Sequence, residues 1–155
     1  MAIIILIALL DYLFAGYSRR TFVFYTALEG KTIVEDRMIR RSGSQETDIR
    51  RYVEEVLLGP VSPDAMAFFT RDTRLLSLLF RKGVVYAGFS GEAAFPGEGG
   101  DVFLSFLTLN EGIRRNFFSV KDVKIFIGGN EIFFNEFARI IADFKKKKKK
   151  IIKRH

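Results

Sequence analysis

The chain has 155 residues, 48% of them apolar and 28% charged, enough for one domain with a buried core rather than a disordered tail. It has no Cys and a single His, His155 at the last position. This excludes disulfide frameworks, thiolate metal sites, thiol catalysis, Ser-His-Asp triads and His-based metal clusters. The net charge of +7 belongs to one end, because Lys145, Lys146, Lys147, Lys148, Lys149, Lys150, Lys153 and Arg154 carry 8 of the positive charges. The remainder holds 17 Lys and Arg against 18 Asp and Glu, so it is a near-neutral domain with a cationic tail and not a basic domain.

Residues 2–10 form an uninterrupted apolar run, continued after Asp11 through residue 17 and ended by Arg19-Arg20. Sixteen residues fall just short of a membrane-spanning helix but suit the apolar core of a secretory signal, and Gly16-Tyr17-Ser18 offers small residues for cleavage. No basic residue precedes the run, and Asp11 inside it would cost about 3 kcal/mol at the centre of a bilayer. Residues 1–18 are therefore expected to be an export signal or membrane anchor, the competing reading being a first buried element of the fold. Without Cys there is no attachment point for a lipoprotein lipid.

From Arg20 the pattern turns to β. Residues 21–26 are β-branched and aromatic, Glu29-Gly30-Lys31 supplies a turn, and residues 32–40 predict a second strand. Its two faces, Ile33, Glu35, Arg37, Ile39 and Val34, Asp36, Met38, Arg40, are both mixed, which marks an edge strand. Ser42 and Gln45 have capping-box spacing. Ile49, Tyr52, Val53, Val56 and Leu57 follow as one helical stripe, and Gly59-Pro60 ends it. Residues 74–80 and 84–90 predict a hairpin, residues 91–100 a flexible Gly-rich loop, and Asp101 the cap of a helix through about Asn116. Residues 120–127 alternate as a strand, and Asn135 can cap a last helix through Phe144. The predicted fold is α+β: a two-layer sandwich with helices on one face of a mainly antiparallel sheet, in the order β-β-α-β-β-α-β plus a C-terminal helix.

Few chemical motifs emerge. Gly97-Glu98-Gly99-Gly100 precedes a helix as phosphate loops do, but no Lys follows and Glu92, Glu98 and Asp101 would repel an anion. Glu54-Glu55 and Glu35-Asp36 point their carboxylates apart, so neither forms a two-carboxylate centre. The pairs Phe68-Phe69, Phe117-Phe118 and Phe133-Phe134 read as core. No general base, cofactor or metal site is expected, and the protein is not expected to be an enzyme. Two charged features remain. Arg37, Arg40, Arg41, Arg50 and Arg51 form a cluster that could face an acidic partner or phospholipid head groups, and the Lys tail could meet an anionic membrane surface.

Two resemblances follow. Lys82-Gly83-Val84-Val85-Tyr86-Ala87-Gly88-Phe89 is similar to the strand-3 octapeptide of an RNA-recognition motif, with Tyr86 and Phe89 at stacking positions but Val84 in place of the other aromatic. That resemblance implies a small intracellular nucleic-acid-binding protein, the second choice. The chain as a whole resembles a GerMN domain. The likeness is carried by Val53-Glu54-Glu55-Val56-Leu57-Leu58-Gly59-Pro60, by the hairpin across residues 76–90, and by residues 119–129 with their Gly128-Gly129 turn. It covers roughly residues 21–134 and implies a bacterial extracytoplasmic module without catalytic residues. Its expected partners are an envelope protein, a cell-wall polymer or a second copy of itself. The domain is accordingly placed at residues 19–134, with the helix and Lys-rich tail at 135–155.

Overall fold

The structure, a computed structural model, describes residues 16–26 and 31–132. The first fifteen residues, residues 27–30, Phe133-Phe134, the expected C-terminal helix and the Lys tail lie outside the described residues. In chain order the elements are β1 (Tyr17–Thr26), β2 (Thr32–Arg40), α1 (Gln45–Leu58), β3 (Ala65–Met66), β4 (Leu75–Arg81), β5 (Val84–Phe89), a 3-10 turn (Gly91–Ala94), α2 (Val102–Asn116), β6 (Asp122–Ile127) and β7 (Asn130–Ile132).

The α+β architecture is as predicted, with the strands divided between two sheets ordered β2-β1-β3 and β4-β5-β6-β7. Every pairing is antiparallel except β5 with β6, whose crossover carries α2. β1 begins four residues before the β-rich pattern and pairs with β2 from Tyr17↔Arg40 to Tyr25↔Thr32. β2 is an edge strand as expected, with Ile33, Glu35, Arg37 and Ile39 on its more buried face. The β4–β5 turn places Lys82 and Gly83 at φ 50° and 82°, a type I′ geometry that matches the strand twist and favours Gly at its second position. β3 and β7 are too short to leave a periodic signal.

The core is rich in aromatic rings and joins both sheets to both helices. Phe22 stacks on Tyr52 at 4.6 Å, Phe24 meets Phe68 at 5.3 Å, and Phe106 is packed by Phe69 at 4.9 Å and Phe89 at 5.3 Å. Each buried ring contributes on the order of 2–3 kcal/mol from area alone. Phe117 belongs to this core, whereas Phe118 is 95% exposed, so that pair divides between core and surface.

Two local expectations need correction. Ser42 does not cap α1 in a box with Gln45. The N-cap is Ser44, which makes no side-chain cap bond, and Ser42 donates its N–H (2.7 Å) and its hydroxyl (2.8 Å) to the Asp48 carboxylate. Asp48 lies one turn into the helix and can reach back to the incoming chain, and that pair outcompetes the box. Residues 91–100 are also held in place, with Ala93 fully buried, Pro96 bridged to Phe69, and Gly99 N–H donating to Ala67 C=O at 3.1 Å. By contrast, Asp101 caps α2 as expected, accepting from Leu104 N–H.

Helix side chains seal two sheet edges. Asn116 of α2 accepts from Thr21 N–H at 2.9 Å and donates to Thr21 C=O at 2.8 Å, so its amide stands in for a neighbouring strand. On α1, Glu46 accepts from Phe80 N–H at 2.8 Å and Arg50 donates to Leu78 C=O at 3.4 Å. One helical turn, about 5–6 Å, matches the two-residue repeat of a strand, so this pair covers successive outward groups of β4.

Candidate functional site

The five arginines of the predicted cluster do not form one surface. Arg37 lies on the inner face of β2 with only 14% of its side chain exposed, paired with Glu35 at 2.6 Å and Glu55 at 3.1 Å. It donates to Gly59 C=O at 2.8 Å and lies 4.9 Å from the Phe22 ring, so it clamps sheet to helix. Glu35 completes the clamp by accepting from Val61 and Ser62 N–H. Burial alone would raise its pKa, but the Ser62 N–H, the Arg37 guanidinium and the Val61 N–H overturn that and hold the carboxyl below its ordinary value. Arg50 covers β4, and Arg51 donates to Arg40 C=O at 2.7 Å. Arg40 is exposed at the end of β2. Arg41 opens onto a cleft, and the tail lysines 145–150 lie outside the described residues.

That cleft, about 430 Å³, lies between the end of β2, the first turn of α1 and the end of α2, and its walls include Arg20, Arg41, Asp48 and Phe118. Arg20 is in phase with Phe22 and Phe24 along β1, so it points toward the core and meets it at the rim. Its guanidinium carbon sits 4.1 Å from the centre of the Phe117 ring, and its Nη1 donates to Asn116 C=O. Arg41 extends the β1–β2 ladder by one step, its N–H donating to Gly16 C=O at 2.7 Å, which fixes where its side chain starts. Gln45 donates to the Ser119 hydroxyl and ties α1 to the turn after α2. That turn closes through Val120 N–H on Phe117 C=O, which sends Phe117 inward and Phe118 out.

The site holds two guanidinium groups and one carboxylate, leaving one net positive charge. Burial lowers the Arg20 pKa; Asp48 opposes that shift and Arg41 adds to it. Arg20 remains cationic. Arg20 and Phe118 were missing from the expected site. The signal for Arg20 was its phase with the inward phenylalanines, but nothing local separates Phe118 from Phe117.

The other openings carry less chemistry. A groove of about 510 Å³ beyond the end of α1 is lined by Pro60, Pro63 and Pro96, with Arg71 and Glu98 offsetting each other. A smaller one runs between β1, β2 and α2. Among the described residues no three acidic groups converge to hold a metal, and no helix is long and apolar enough to cross a membrane. The nucleic-acid alternative loses a stacking residue, because Phe89 is 1% exposed and packed against Phe69 and Phe106.

No family model matches the chain, and no curated protein matches it. Among solved structures, the first GerMN domain of the sporulation protein GerM from Bacillus subtilis superposes with a TM-score of 0.57. It is 23% identical over 74% of this chain and 86% of that one. The tandem GerMN domains of the same protein superpose with a TM-score of 0.55 at 18% identity, over 76% of this chain. The chain has a GerMN-like fold. It spans 41% of the tandem structure and most of the single domain, so the likeness amounts to about one GerMN unit.

Proposed function

We propose that this chain is a non-enzymatic, extracytoplasmic interaction module of the GerMN type, contacting a partner protein or cell-wall polymer. The observation that carries the reading is the fold shared with the GerMN domains of a sporulation protein. The apolar run over residues 2–17, whose last residue opens β1, supports export or anchoring. Lys145 to Lys150 would add an electrostatic contact with an anionic membrane surface, each contributing about 1 kcal/mol near the headgroups. The cleft at Arg20 and Arg41 is the surface best suited to contact, since it combines arginine and an exposed aromatic as binding hot spots do.

Protease accessibility tests this reading. The domain should resist protease on intact cells, be cleaved in spheroplasts, and be cleaved after lysis. Protection that persists until full lysis would overturn it and return the N-terminal run to the folded core.

A further inference from the structure

We propose that the cleft between Arg20, Arg41 and Phe118 binds a carboxylate of a partner peptide, a chain terminus or acidic side chain, with an adjoining apolar group against Phe118. The inference rests on reading the chain as an interaction module and names the partner chemistry of that same surface. Four observations carry it.

Arg20 is already oriented, held from one side by the Phe117 ring and at Nη1 by the Asn116 carbonyl. Its ordering is therefore settled before any ligand arrives, which lowers the entropic cost of binding. Arg41 has no side-chain hydrogen bond or ion pair among the described residues, although it lies close enough to Arg20 to affect its ionisation. Asp48 is engaged by the Ser42 N–H and hydroxyl, and its charge leaves the cleft with a surplus of one. A monoanion neutralises that surplus, whereas a phosphate dianion would exceed it. A planar carboxylate also matches the guanidinium fork.

Phe118 supplies the fourth observation. Among the described residues it is the most exposed large apolar side chain, and it stands at the wall of an opening that holds two guanidinium groups. Its exposure has an energetic reason if an apolar group covers it, because that takes a ring face out of water. The proline-lined groove is larger but its charges cancel, so nothing there selects a ligand.

The test uses the full chain, with amide and arginine Nε–H resonances followed by NMR. The probes are N-acetyl-L-phenylalanine, its amide and phenyl phosphate. The acid should cause saturable shifts at Arg20, Arg41, Gln45 and Phe118, and the amide should bind at least about tenfold more weakly. Arg41→Gln should weaken the acid about tenfold while leaving resonances of the core unchanged, because the Arg41 backbone bond to Gly16 survives. Phe118→Ser should weaken it several-fold. Phenyl phosphate binding at the same resonances as tightly as the acid would overturn the carboxylate assignment in favour of a phosphoryl group. Absence of saturable shifts, or an Arg41→Gln variant that binds the acid normally, would remove the site. None of these outcomes depends on where the chain resides, so failure here and failure of the protease experiment are separate results.

Discussion

Tyr52 joins the first sheet to both helices through a single side chain. Its ring stacks on Phe22 and meets Phe117 edge-on at 5.9 Å, and its hydroxyl donates to Thr21 C=O at 3.3 Å. Burial pushes its phenol up to about 12 from the ordinary 10.0. Because the folded value is raised, its contribution is fully present below about pH 10 and is lost as pH rises through 12. Denaturant titrations should show a loss of about 2 kcal/mol by pH 12 that is absent in Tyr52→Phe. An identical alkaline decline in both proteins would show that the phenol does not ionise against the fold.

The same hydroxyl explains Gly112. A Cβ there would lie 2.3 Å from Tyr52 Oη and 3.3 Å from Cζ, so α2 approaches this close only without a side chain. Gly112→Ala should therefore destabilise by about 1–3 kcal/mol, although alanine is the better helix former. In a Tyr52→Phe background the oxygen is gone and the penalty should fall by more than half. A thermal double-mutant cycle measures this coupling, and additive effects would refute it. Tyr52 was visible in the sequence as part of an apolar stripe. Gly112 was not, because a glycine within a helical segment gives no sign of what lies opposite.

At the scale of elements, the helices do more than cover a sheet face, since their polar side chains complete the ladders. Asn116→Ala would leave Thr21 N–H without its partner and should cost about 1–3 kcal/mol. The double change Glu46→Ala and Arg50→Ala should cost about 1–2 kcal/mol and uncover the edge of β4, where Leu76 is already exposed. Denaturation midpoints check the first effect, and concentration-dependent sedimentation checks the second. A variant whose sedimentation and stability are both unchanged would show that these bonds do not protect the edge. Periodicity placed α1 and α2 well because each presents an apolar stripe, and it found the β4–β5 hairpin through its Lys-Gly turn. It did not find the roles of Glu46, Arg50 and Asn116. From the sequence these are ordinary polar positions, and only the strand beside them gives them work.

Over the whole molecule, two sheets share one core, and the candidate cleft lies where β2 and α2 end and α1 begins. Composition by itself determined that the chain folds, that thiol chemistry and His-based metal clusters are excluded, and that its net positive charge comes from the tail. The order of strands and helices was also legible, since hydrophobic period and turn residues are local properties. The division into two sheets and the parallel β5–β6 pair were decided by tertiary structure, because pairing depends on partners distant in the chain. The arginines show the same limit. Nearness in sequence grouped Arg37 with Arg41, but Arg37 sits in mid-strand on the inward face of β2 and is buried against Glu35 and Glu55, whereas Arg41 lies just past the end of that strand, where it lines one cleft with Arg20.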